Sequence, residues 1–251
     1  MAVIGIMSAM HEELAAVLAV MPDEQRVGVA GRDFWVGHWH GHEVVAVLSR
    51  IGKVAAATTA TVLLERFKVD ALVFTGAAGG LAPHAQVGDV VVATGFVQHD
   101  MDASPLFARH VVPLDDISRF AADPGWSQRL FQSACHAQAR MQADWPQGWH
   151  GLDLSQGRVH HGLIISGDRF VSRSAESQAL RTELPDALAV EMEGAAVAQV
   201  CRDHGVPFGA VRLISDRADD QAHPDFLRLV NDLAAPFSYH LIDHLLQKTN
   251  H

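Results

Sequence analysis

Cysteine is scarce in this chain. Cys135 and Cys201 are the only two in 251 residues, and their spacing fits neither a metal-binding nor a redox motif. Both fall in helix-like stretches and are expected to be buried thiols rather than a disulfide. Basic residues are also few: 19 Lys and Arg face 29 Asp and Glu, a net charge of −10, which argues against a nucleic-acid-binding surface. No apolar run approaches the roughly 20 residues of a membrane span. The first residues, Met1 to Gly5, lack a basic segment followed by a long apolar one. The expectation is a soluble cytoplasmic chain with no membrane partner. The nucleotide-binding glycine motifs are missing too. Thr75–Gly80 (TGAAGG) is neither GxGxxG nor a P-loop, since no Lys-Ser/Thr pair follows it.

Apolar residues make up 49% of the chain and charged ones 19%, which fits a globular domain with a substantial core. Short apolar runs at Val3–Met7, Glu43–Ser49, Ala71–Thr75, Asp89–Val97, Val159–Ser166, Ala187–Val190 and Phe208–Ser215 alternate with helical patterns. Leu14, Val17, Leu18 and Met21 share one helical face. An Ala-rich helix runs from Lys53 to about Phe67. A last helix from about Pro224 places Phe226, Leu229, Val230, Leu233 and Phe237 together. This alternation predicts an α/β fold of one domain over 1–251, with a central mixed, twisted sheet flanked by helices. Residues 101–158, punctuated by Pro105, Pro113, Pro124 and Pro146, are the least regular, with one helix near Ser127–Gln142.

Chemistry concentrates at strand ends, where ligands sit in open α/β sheets. Glu13 lies just past the first strand, Glu193 follows Val190-Glu191-Met192, and Asp216 follows Val211–Ser215. Each has a plain structural reading. Glu13 suits the first turn of a helix, Glu193 leads into one, and Asp216 caps a turn. Three such acids together argue for a shared pocket. TGAAGG reads as a tight turn or as a place where backbone approaches a ligand. His38, His40 and His42 alternate, which on one strand would put them on one face. No fourth ligand accompanies them, so they read as solvated surface, as do His160 and His161.

Six ordered segments carry a family resemblance: IGIMSAMHEEL, SRIGKVAAA, TGAAGGLAP with VGDVVVA, ISGDRFV, VEMEGAAVAQVC and VPFGAVRLISDRAD. Together they resemble the methylthioadenosine/S-adenosylhomocysteine nucleosidases of the nucleoside phosphorylase family, over nearly the whole chain. The resemblance implies a nucleoside phosphorylase-like three-layer fold and hydrolysis of an adenine N-glycosidic bond without metal or cofactor. Asp216 is implied to protonate the adenine, a role best served where burial favours the neutral acid. Glu13 is implied to activate the attacking water, held there with it by Arg212. Glu193 is implied to bind the ribose hydroxyls, with Glu191 either joining it or structuring its surroundings. Met10 and Met192 would pack along sugar and base, Phe170 would stack on the adenine, and the backbone of Val171 would read its edge. Ser215, Ala77, Ala78 and Ile51 would line the site. A homodimer is implied, with Leu106, Phe107 and Pro113 of the 101–113 loop completing the partner's site.

Within that family the rival reaction is phosphorolysis. The phosphorylases resemble this chain but carry Arg just before their Gly-rich turn, where Phe74 stands here. They also carry Arg in the first strand-to-helix loop, where this chain has Ser8 to Glu13. A carboxylate facing phosphate repels it, so hydrolysis is preferred. Arg50 departs from the nucleosidases, which usually have Gly before IGKV. It reads first as a surface or subunit contact and only second as an anion contact. The 101–113 loop also departs, which leaves methylthioadenosine, S-adenosylhomocysteine and 5′-deoxyadenosine all open as substrates. A non-catalytic nucleoside-binding domain predicts loss of an acid, and all three acids are present.

Overall fold

A computed structural model describes residues 2–21, 23–149 and 152–248. The strands are β1 (Val3–Ser8), β2 (Gln25–Val29), β3 (Arg32–Trp39), β4 (His42–Leu48), β5 (Ala71–Gly80), β6 (Val90–Gln98), β7 (Phe120–Ala121), β8 (Val159–Ser166), β9 (Ala187–Glu191) and β10 (Phe208–Asp216). The helices are α1 (His11–Leu18), α2 (Lys53–Arg66), α3 (Pro124–Asp144), α4 (Ser174–Glu183), α5 (Gly194–His204), α6 (Ala222–Leu229) and α7 (Ala235–Lys248).

Side-chain alternation builds the layers. On β4, Val45 and Val47 face one core and Val44 and Ala46 the other. On β5, Leu72 and Phe74 face the first core and Val73 the second. The first core is closed by α2 and α5, and the second by α1, α3 and α7. Strands buried on both faces read as continuous apolar runs, which is why periodicity located them. The sheet is mixed, in the order β10-β6-β8-β9-β5-β1-β4-β3-β2, and β10 also pairs with β5. The strands β5, β10, β6, β8 and β9 therefore close into a ring, a non-local pairing with no signature in any local sequence window.

The structure corrects several expectations. TGAAGG is not a turn: β5 runs through it to Gly80. Its glycines admit other groups. A Cβ on Gly80 would sit 2.6 Å from the Ala85 carbonyl oxygen, and one on Gly79 would sit 3.0 Å from both Ala218 Cβ and Asp216 Oδ1. Helix α3 begins earlier than expected, because Asp123 Oδ1 accepts from Trp126 N at 2.8 Å and Pro124 opens the first turn. Cys135 is exposed, one step off the buried stripe Leu130, Ala134, Ala137, Met141. The last helix is broken by a π-turn at Val230–Ala234. Pro236 has no N–H to continue an α-helical ladder, which accounts for the widened turn. The three histidines do not share a strand. His40-Gly41 forms a tight hairpin turn with φ of 49° and 80°. His38 pairs with Asp23 at 2.7 Å, His40 with Asp243 at 2.7 Å, and His42 is buried on β4.

Candidate active site

The acids do not meet because all their strands point one way. Strand β9 runs antiparallel to β5 and crosses its end, pairing Val190 with Gly79 and Ala189 with Gly80. On the other side of β5, Asp216 is in register with the same Gly79. A residue with no side chain at that crossing lets Glu191-Met192-Glu193 and Ser215-Asp216 face one space. The first βα loop joins them, since β1 lies beside β5 in parallel. The result is a cavity of ≈ 310 Å³ lined by Ala9, Met10, Ile51, Ala77, Ala78, Gly79, Arg169, Phe170, Val171, Val190, Glu191, Met192, Glu193, Ser215, Asp216 and Phe226.

Glu13 lies behind the Ala9-Met10 wall and is 1% exposed. Its Oε2 accepts from Ala9 N at 3.2 Å and Met10 N at 3.1 Å. Both bonds fall on one oxygen, so Oε1 is left for another donor. Burial pushes its pKa up to about 7, against the opposing pull of the Met10 N–H and the Arg212 charge. Glu193 accepts from Gly52 N at 2.8 Å. Gly52 has φ of 95°, which places it in the left-handed region where glycine is unstrained. Burial, and then the charge of Glu191, push Glu193 up to about 8. Asp216 accepts from Ser215 Oγ on Oδ2 at 2.7 Å and from Ala218 N on Oδ1 at 2.8 Å. The turn-capping reading and the pocket reading of Asp216 both hold.

Glu191 is committed elsewhere. Its carboxylate accepts from Glu193 N at 3.1 Å, from Gly194 N at 3.0 and 2.9 Å, from Ser166 Oγ, and from Arg212 Nη2 at 2.8 Å. It shapes the turn that aims Glu193. Arg212 is also displaced from its expected place. It is 1% exposed, does not line the cavity, and bonds Glu191 rather than Glu13. Its guanidinium lies 4.2 Å over the Phe74 ring, where Gly76 leaves room for it. Its charge still acts on Glu13 and Glu193.

The other expected lining residues divide by place. Met10, Ile51, Ala77, Ala78, Phe170, Val171, Met192 and Ser215 line the cavity. Leu106, Phe107 and Pro113 do not line it in their own chain, and Leu106 is 84% exposed. Arg50 also lies outside it, bonding the Gly31 carbonyl. Phe226 joins the site unannounced, because its helical spacing marks it as core. It packs edge-on against Phe170 at 5.7 Å, with 70° between the rings, so the aromatic wall has two members. Ser166, the last residue of β8, also shapes the site, since its hydroxyl donates to Glu191. Among the described residues, no group of three or more His, Cys, Asp or Glu is placed to hold a metal, and no helix is long and apolar enough to cross a membrane.

The two raised carboxyls make stability depend on pH. The folded chain holds these protons more tightly than the unfolded chain does. The stability they confer is complete below about pH 4.5. It is lost as pH rises through about 7 for Glu13 and about 8 for Glu193. Each pH unit separating the folded pKa from the unfolded one is worth about 1.4 kcal/mol. The unliganded protein should therefore melt at falling temperature across that window. Glu13→Gln should flatten the slope in a thermal melt run at several pH values. An unchanged slope would assign the loss to other groups.

Comparisons with known proteins agree with this geometry. The family model described as the phosphorylase superfamily matches residues 3–247. A 5′-methylthioadenosine/S-adenosylhomocysteine nucleosidase from Anoxybacillus flavithermus is 38% identical over 248 residues, 98% of this chain and 99% of that one. The nucleosidase of the same name from Streptococcus pneumoniae, solved with 8-aminoadenine, is 32% identical. It superposes with a TM-score of 0.84 over 98% of this chain and 99% of that one. A futalosine hydrolase mutant from Helicobacter pylori is 29% identical, with a TM-score of 0.83 over 99% of this chain and 100% of that one. With its sheet, its cavity and these relatives in agreement, the chain belongs to the phosphorylase superfamily and, within it, to the 5′-methylthioadenosine/S-adenosylhomocysteine nucleosidases.

Proposed function

We propose that this chain hydrolyses the N-glycosidic bond of 5′-methylthioadenosine and S-adenosylhomocysteine, releasing adenine and a 5-modified ribose. The observation that carries this reading is the cavity itself, walled by carboxyls rather than by free cations. Among the described residues, Arg169 is the one Lys or Arg side chain on its lining. It is largely exposed and paired with Glu176 at 3.2 Å. A phosphate nucleophile needs fixed positive charge. Where the phosphorylases carry an arginine, Phe74 lies under the guanidinium of Arg212, which is turned to Glu191.

In this reading Asp216 gives its proton to adenine N7 as the C1′–N9 bond breaks, so the base leaves neutral. Glu13 takes a proton from water, whose oxygen bonds C1′ of the oxocarbenium-like sugar on the opposite face. A carboxyl raised to about 7 is poised to accept that proton near neutral pH. Glu193 accepts from the ribose hydroxyls while Gly52 N holds its other side. Phe170 stacks on the base, and Phe226, packed edge-on against Phe170, completes the aromatic wall. The reading extends to a homodimer in which Leu106, Phe107 and Pro113 reach the partner's 5′ pocket. The exposure of Leu106 at 84% and of Leu114 at 90% supports it.

Incubation with methylthioadenosine in phosphate-free buffer should release free adenine and methylthioribose. Release that appears only on adding phosphate, with a ribose 1-phosphate product, would overturn hydrolysis. Tight binding without turnover would favour a nucleoside-binding role.

A further inference from the structure

A second cavity of ≈ 360 Å³ lies beside the first, with His11, Arg32, Asp33, Trp35 and Arg50 in its wall. The two share chain steps: His11 follows Met10, and Arg50 precedes Ile51, where Met10 and Ile51 line the substrate cavity. A third hollow touches both Arg32, from the wall of the second cavity, and Ile51, from the wall of the first.

Arg50 has φ of 64°, a left-handed backbone that a bulky side chain rarely adopts and glycine adopts freely. An arginine held there points to a use for its side chain. Arg50 Nη2 donates to Gly31 O. Arg32 donates to Ala30 O at 3.0 Å and Ala55 O at 3.1 Å, and its Nε is buried without a partner. Among the described residues neither arginine pairs with a carboxylate, in a chain of net charge −10. Burial, and then the Arg50 charge, lower the Arg32 pKa, as expected of two cations facing one space. Asp33 stands in the same wall, half exposed and tied to Arg26 at 3.3 Å.

We propose that Arg32 and Arg50 receive the carboxylate of an amino-acid substituent carried on the 5′ sulfur of the nucleoside, with Asp33 facing its ammonium group. The second cavity then reads S-adenosylhomocysteine and has nothing to read on methylthioadenosine. The inference rests on the hydrolase reading and deepens it. An acid beside two arginines matches a zwitterion, whereas a phosphate dianion would meet the charge of Asp33.

The test compares S-adenosylhomocysteine with its carboxamide, which has the same shape without the charge. Wild-type kcat/KM should favour the carboxylate by about tenfold to hundredfold, the range of a charge-assisted hydrogen bond. In Arg50→Gln the preference should fall to near unity, with methylthioadenosine as the common reference substrate. The same preference in wild type and variant, or none in wild type, would overturn the proposal. Calorimetric binding of the two compounds to Asp216→Asn protein reads the preference without turnover. Failure of the tail site is thereby separable from failure of the hydrolase reading.

Discussion

Asp216→Asn should cut adenine release from methylthioadenosine by about two to four orders of magnitude, the range for loss of a general acid. The fold should survive. Oδ1 accepts from Ala218 N, and an asparagine oxygen keeps that bond. Oδ2 accepts from the Ser215 hydroxyl, which can turn to accept from an amide NH₂ in the same place, with Ala78 O at 3.3 Å as another acceptor for its proton. The melting temperature should then stay within about 2 °C of the parent, since a change below 1 kcal/mol shifts it by only a few degrees at this size. The amide has no proton to give to adenine N7. A substrate whose leaving group needs no proton, such as a 4-nitrophenyl riboside of the same sugar, should therefore lose far less. Equal losses on both substrates would show that Asp216 acts on the sugar or the water, and undiminished adenine release would remove it from the chemistry.

The sequence displays this acid as plainly as it displays Glu13 and Glu193. Each follows an apolar run whose length and β-branching mark a strand buried on both faces, and the end of a strand is legible to within a residue or two. How the acids meet is not legible. Their convergence depends on β9 crossing β5 at Gly79 and on β5 pairing with β10, contacts more than a hundred residues apart in the chain. Glycines in TGAAGG signal close approach, but not that strands and a guanidinium do the approaching. Phe226 shows the same limit from the other side. Its spacing with Leu229, Val230 and Leu233 assigns it to a buried face, and only the packing of α6 over the cavity turns it toward Phe170. The pairing of Arg212 with Glu191 lies beyond local reading as well, because a charge pattern within one strand does not say which of three nearby acids a buried arginine will choose.

That choice sets the second large effect. Arg212→Met should destabilise the protein by about 3–5 kcal/mol, the usual result of removing one partner of a buried ion pair. Both side chains are nearly fully enclosed, at 1% and 3% exposure. Methionine fills much of the volume over Phe74, so cavity formation is a minor part of the loss. The main cost is a carboxylate left without its cation. Arg212 also donates to two backbone carbonyls, Phe74 O at 3.0 Å and Val211 O at 3.1 Å, and those bonds would be lost as well. At about 2–4 °C per kcal/mol for a chain of this size, the melting temperature should fall by roughly 6–20 °C. Adding Glu191→Gln should restore part of it, because the amide still accepts from Gly194 N and carries no charge to bury. The double variant should nevertheless stay catalytically impaired. Glu191 orients the turn that presents Glu193, and the lost Arg212 charge no longer draws down the pKa of Glu13 and Glu193. A thermal melt of the three variants in one buffer decides it: additive losses would show that the two side chains do not act as a pair.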